Sequence, residues 1–234
     1  MCGRFKLSTP AEELRREFGF VEHPNLAPRY NIAPTQEVPV LRQRRAPKGE
    51  RTLQNLRWGL IPSWAKDAKI ASSLINARAE TLAEKPAFAA AFRKRRCLVL
   101  ADGFYAWVGE GEGEGKQPYL VTRRDGGAFA FAGLWERWTP KAAGKESAFI
   151  DSFTIVTTEA NALLRPLHPR MPVILPAAHC TSWIDPDASP ESLKPLLAPA
   201  EDDLLRYFPV SKRVNSARID EPDLADPAGP ETAA

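Results

Sequence analysis

Hydrophobic positions in this chain repeat with two different periods. Ala11, Leu14 and Phe18 recur at helical spacing after Thr9-Pro10, and Gly19 follows. This predicts a helix capped by Thr9, with Pro10 in its first turn, Glu12 closing a capping box and Gly19 ending it. Phe88 and Phe92 stand at i, i+4 within 86–95 and predict a second helix. Short apolar or alternating runs predict strands at 38–41, 53–58, 97–100, 103–107, 119–122, 129–135, 153–157 and 171–175. The first two read as a strand pair. Short helices are predicted at 159–164, 176–184 and 193–197. Residues 20–37, rich in Pro and Asn, read as an ordered loop, and 58–64 as an irregular aromatic loop. Residues 109–115 alternate Gly with Glu and read as a hairpin tip. No repeat or linker divides the chain, so the elements predict one α+β domain over residues 1–218. Residues 219–234 are acidic, rich in Pro and small residues, and read as a disordered tail.

Composition narrows the class. The chain has 234 residues, of which 44% are hydrophobic, enough for a substantial core. No apolar run approaches the roughly 20 residues of a membrane span, and no segment reads as a signal peptide. Three scattered cysteines argue against a disulfide framework and fit a reducing cytosol. Cys97 and Cys180 read as buried small hydrophobes, and no Cys or His pair has zinc-ligand spacing. The net charge of +3 is too small to establish nucleic-acid binding. All bases precede residue 219, however, so the body is more basic than the total. Arg93-Lys94-Arg95-Arg96 reads as the solvated C-terminal end of a helix.

The candidate chemistry begins at Met1-Cys2-Gly3-Arg4-Phe5. Removal of Met1 would leave Cys2 with a free α-amine beside its thiol. Such an aminothiol condenses with an aldehyde, amine first and sulfur second, into a thiazolidine ring. Reference pKa values of about 8 for the amine and 8.5 for the thiol leave both partly reactive at neutral pH. Arg4 could raise the thiolate fraction. Cys2 also fits an inert residue at a frayed terminus, or the nucleophile of a glutamine amidotransferase. Asn76-Ala77-Arg78-Ala79-Glu80-Thr81 offers an amide and an arginine fork, and fits equally a surface turn. His168, beside Arg170, is either a general acid/base or a satisfied, partly buried histidine. His23 and His179 have no such surroundings.

Taken in order, Met1–Phe5, Tyr30–Pro34, Trp58–Trp64, Ile75–Thr81, Ala101–Trp107, His168–Leu175 and Pro209–Ser211 resemble the SOS response-associated peptidase (SRAP) family, over roughly residues 2 to 216. The resemblance implies a mostly antiparallel, barrel-like sheet core flanked by helices. It implies covalent capture of the ring-opened sugar aldehyde at abasic sites, in single-stranded DNA or at single-strand/double-strand junctions. It also implies self-removal of Met1, a peptidase-like act. By similarity Cys2 is the nucleophile, Asn76 orients sugar and amine, and His168 assists ring opening. Arg4, Arg78 and Arg170 hold phosphates, Asn31 and Thr157 belong to the DNA-binding set, and Pro34 and Trp64 stack on bases or block the duplex. No metal or cofactor is implied, and a cytoplasmic, nucleoid-associated monomer is expected. The chain departs from the pattern at Ala106, where the family carries a proton-shuttling glutamate. Two alternatives therefore stay open: a non-catalytic reader of single-stranded or abasic DNA, and a cysteine peptidase or amidotransferase-type hydrolase.

Overall fold

A computed structural model describes residues 2–44, 49–109, 115–140 and 149–233. In chain order the strands are β1 (Phe5–Leu7), β2 (Arg29–Ile32), β3 (Glu37–Gln43), β4 (Arg51–Trp58), β5 (Asn76–Arg78), β6 (Arg96–Ala101) and β7 (Gly103–Gly109). There follow β8 (Lys116–Arg123), β9 (Phe129–Trp138), β10 (Ile150–Glu159), β11 (Arg170–Pro172), β12 (Ile174–Leu175), β13 (Leu205–Pro209) and β14 (Thr232–Ala233). The α-helices are α1 (Ala11–Phe18), α2 (Ala89–Lys94), α3 (Ala177–Ile184) and α4 (Pro190–Leu193).

Five strands close a barrel in the order β10-β4-β3-β6-β9, with β9 pairing back onto β10. All its pairs are antiparallel except β4 with β10. Closure removes the free edges an open sheet would expose. β6 is buried at every position, as its continuous apolar run requires. A second, antiparallel sheet runs β14-β13-β8-β7-β1-β2. Phe5 of β1 joins the two layers. Its ring lies 5.1 Å from Trp58 and 6.1 Å from Phe131, both edge-on. That contact nails the start of the chain to the barrel, so Cys2 is a packed residue rather than a frayed one.

Local expectations hold where one element decides them. Leu14 and Phe18 form the buried face of α1, and Gly19 ends it at φ 67° with its N–H on the Arg15 carbonyl. β3 and β4 pair as read, and Phe88 and Phe92 are buried around α2.

Where a distant partner intervenes, the structure corrects the reading. Thr9 does not cap α1. Its N–H and hydroxyl donate to Asp102 at 2.6 and 2.8 Å, and Pro10 occupies the cap position. Glu12 pairs with Arg15 and His23 instead of closing a capping box. The loop 20–37 contains β2 and the first residue of β3. Residues 162–167 form turns rather than a helix, with Asn161 capping the N–H of Leu164. The supposed solvated run ends in Arg96, which is 3% exposed. Its guanidinium bonds the carbonyls of Phe92, Arg93, Trp183 and Asp185, fastening the end of α2 to that of α3. Most of the hairpin tip, 110–114, lies outside the described residues.

The disordered tail is also corrected. Through residue 233 the segment is docked. Asp220 accepts from Arg29 Nε and from the N–H groups of Tyr30 and Asn31, at 2.5 and 2.9 Å for the latter two. Arg213 pairs with Glu221 and Asp223. Leu224 is fully buried beside Phe208, Val210 and Val214, and β14 extends the second sheet. Low hydrophobicity hid a segment held by a few matched charges and one apolar anchor.

Candidate DNA-processing cleft

A cleft of about 440 Å³ opens where β1 leaves β7 and faces the turn before β11. Cys2, Arg4, Ala106, Trp107, Lys116, His168 and Arg170 line it. Cys2 is buried, and its thiol approaches the Arg4 carbonyl at 3.9 Å. Asn76, on β5, donates from Nδ2 to the Cys2 carbonyl at 2.8 Å. β5 lies parallel to β10, in register from Ile155↔Asn76, so the barrel wall sets the height of that amide. The Asn76 Oδ1 is buried without a hydrogen-bond partner among the described residues. Such an orphan acceptor costs free energy until a donor arrives.

Burial pushes the Cys2 thiol up to about 12. The expectation that Arg4 activates it is not met. The Arg4 guanidinium turns away, onto Asn31 Oδ1 at 2.8 Å and the carbonyls of Val214 and Asn215 at 2.7 and 3.2 Å. Asn31 is fully buried and donates to the carbonyls of Val214, Ser216 and Ile219. Its amide is wholly engaged inside the protein. It supports the Arg4 guanidinium from within the protein.

His168 Nδ1 lies 2.9 Å from the Arg170 N–H. Nδ1 also lies 3.2 Å from the Arg170 carbonyl; when it accepts from the N–H, the proton of a neutral ring sits on Nε2. Burial lowers the His168 pKa, and nearby positive charge, including Arg170 and Lys116, adds to the effect. Arg170 grips Glu80 with both arms, at 2.6 and 3.0 Å, and reaches the Thr157 carbonyl at 2.6 Å. This bond to Arg170 is the main reason the Glu80 carboxyl stays below its usual range. Thr157 is buried behind Arg170, its hydroxyl 3.4 Å from the Ala77 carbonyl.

The remaining expected residues lie outside the cleft. Arg78 is exposed at the end of β5. Pro34 is half-buried in the turn between β2 and β3, next to Thr35 at φ 77°. Trp64 is 53% exposed and donates to the Pro86 carbonyl at 3.4 Å. Sequence reasoning missed Lys116 and Asn215, the latter accepting from Trp107 Nε1 at 2.7 Å. Lys116 flanks the Gly/Glu run and carries no local signal; the pairing of β8 with β7 brings it in.

Comparison with known proteins places the chain in a family. The description "SOS response associated peptidase (SRAP)" matches residues 1–217. The chain belongs to the SRAP family. Among its SRAP relatives, the abasic site processing protein YoaM of Bacillus subtilis is 38% identical, covering 97% of this chain and 98% of the relative. The abasic site processing protein HMCES of Gallus gallus is 32% identical, covering 97% and 78% respectively. A crystal structure of a Bacteroides thetaiotaomicron protein superposes with a TM-score of 0.85 at 26% identity, covering 97% of this chain and all of that one. A phage-related protein from Bordetella bronchiseptica gives 0.70 at 28% identity, covering 90% and 95%. The barrel and its flanking sheet are therefore a SRAP fold, as the resemblance implied.

Proposed function

We propose that this protein processes abasic sites in DNA by capturing them covalently through Cys2. The observation that carries the reading is the meeting of Cys2 and His168 in one cationic cleft, with Asn76 holding the Cys2 carbonyl from the adjoining β5. With Met1 removed by the protein itself, the α-amine of Cys2 attacks the open-chain sugar aldehyde and water leaves as the imine forms. The thiol sulfur then adds to the imine carbon, and its proton passes to nitrogen, closing the thiazolidine. His168 Nε2–H supplies the proton that ring opening of the sugar requires. Asn76 holds the Cys2 carbonyl, and its unpaired Oδ1 is an acceptor for the new amine. Arg4, Lys116 and Arg170 give sequence-independent attraction for phosphates, while Pro34 and Trp64 offer stacking faces where a duplex gives way to a single strand. A baseless nucleotide inserts at little unstacking cost. The protein acts as a monomer in the cytoplasm, at damaged single-stranded or junction DNA.

A second reading follows from Ala106. It lies in the cleft where the family pattern has glutamate, and among the described residues no carboxylate lines that cleft. With the thiol pushed up to about 12, this favours a slow capturer or a reader that binds without reacting. The deciding experiment is incubation of the Met1-free protein, verified by intact mass, with single-stranded abasic DNA on a denaturing gel. Capture predicts a shifted band that Cys2→Ala abolishes while sparing most non-covalent binding. An adduct that persists in Cys2→Ala removes Cys2 as nucleophile, and complete absence of adduct leaves only the reader.

A further inference from the structure

A second cavity gathers more positive charge than the cleft and plays no part in the capture chemistry. It measures about 620 Å³ and lies against β3, β4, β9 and the end of α2. Arg42, Arg44, Lys94, Arg95, Arg96 and Arg137 line it. Among the described residues four carboxylates answer these six cations. Asp151 is shared between Arg42 at 3.4 Å and Arg137 at 2.7 Å. Glu136 holds Arg95 at 2.6 Å, and Glu50 holds Arg44 at 2.7 Å. Arg96 bonds main-chain carbonyls and feels the charge of Asp185, and Lys94 is exposed.

Arg42 shows that the excess charge is built in. It is 8% exposed, stacks at 4.1 Å on Trp135, and keeps Nη1 buried without a hydrogen-bond partner among the described residues. No ligand reaches that atom directly. It marks a cavity whose positive charge its own carboxylates leave unbalanced. A wall of guanidinium forks matches phosphate better than any neutral ligand.

The position selects the source of that phosphate. Asp151 sits at one end of β10 and Thr157, behind the cleft, near the other. At about 3.3 Å per residue the two ends are roughly 20 Å apart. That span corresponds to about six phosphates at the ~3.4 Å axial spacing of one duplex strand. Ser63 lines the cavity, and Trp64, its neighbour in the chain, is exposed. We propose that this cavity is a second phosphate contact for the nucleic-acid backbone, engaged by DNA that extends beyond the cleft. The proposal rests on the DNA-binding half of the function above and not on the covalent step.

The test uses Arg44→Gln combined with Lys94→Gln, both exposed and both outside the cleft. Fluorescence anisotropy follows binding of intact, non-abasic single strands of about five and about fifteen nucleotides, the second exceeding the ~20 Å span. For the longer strand the double variant should bind about 3–10-fold more weakly. Its salt slope should fall by about 1.4, near 0.7 for each single-strand phosphate that the variant no longer neutralises. Binding of the short strand and its adduct yield, when abasic, should match the parent, as should the melting temperature. Equal affinity and slope on the long strand would overturn the proposal. So would displacement of long and short strands alike by pyrophosphate acting through Arg44 and Lys94, which would mark a small-anion site. Loss of the adduct in the parent protein with the length effect intact would sink the capture reading alone.

Discussion

Replacing Asp102 with alanine should be among the most destabilising single changes in this protein. Asp102 lies between β6 and β7 and is 6% exposed. Its Oδ1 meets Lys6 Nζ at 2.7 Å. Its Oδ2 accepts the N–H groups of Ser8 and Thr9, at 2.7 and 2.6 Å, and both their hydroxyls. Burial works to raise its pKa, and the Lys6 charge with these bonds overcomes it, leaving the carboxyl below its ordinary range. Asp102→Ala strands a Lys6 side chain that is 12% exposed. Breaking a buried pair from one side costs about 3–5 kcal/mol. The freed N–H groups lie at the edge of the fold and regain water, so the net loss should be about 4 kcal/mol. That is a large part of the roughly 5–15 kcal/mol that holds a domain together. Asp102→Asn keeps an acceptor and should cost about 2–3 kcal/mol. Urea unfolding followed by tryptophan fluorescence measures both, as a shift of midpoint at constant slope. A loss below about 1 kcal/mol for Asp102→Ala would refute the assignment. The pH dependence supplies a check of sign. A depressed folded pKa contributes stability above the unfolded value of about 3.9, and that stability disappears as pH falls through the folded value. The gap between parent and Asp102→Asn should therefore be full at neutral pH and narrow below about pH 4.

The other expected outcomes concern the cleft. Asn76→Ala removes the 2.8 Å bond to the Cys2 carbonyl and should slow adduct formation about tenfold, the equivalent of ~1.4 kcal/mol, while non-covalent binding persists; an unchanged single-turnover rate would show that Asn76 does not position Cys2. Ala106→Glu should raise the crosslinking rate by about 10²–10⁴, the usual worth of a general acid/base; identical time courses before and after the change would dismiss the missing glutamate as the cause of slow capture. Glu80→Gln unpairs Arg170 and should tighten single-strand binding with a steeper salt dependence. A titration at several salt concentrations showing neither effect would take Arg170 off the phosphate path.

Much of this molecule could be read along the chain, because the deciding interactions are local. The period of Leu14 and Phe18, the stop at Gly19 and the uninterrupted apolar run of β6 each follow from neighbouring residues. Cys2 and Asn76 were legible through residue type and order, and the fold brings the Asn76 amide onto Cys2. Polar groups were legible only in part, since a side chain does not record its partner. Thr9 looked like a helix cap until Asp102 took its hydroxyl. The amide of Asn31 is held by three remote carbonyls, which nothing near it in the chain announces.

The amino-acid sequence by itself determined the five barrel strands and α1 to α3, and marked Cys2, Asn76 and His168 as candidates for chemistry. Tertiary structure alone decided that Cys2 is buried and its thiol pKa raised, that Lys116 joins the cleft, and that the acidic end of the chain is docked on Arg29 and Arg213. The reason is range. Backbone periodicity is set within a few residues, whereas desolvation and charge pairing depend on whatever the closed barrel brings alongside.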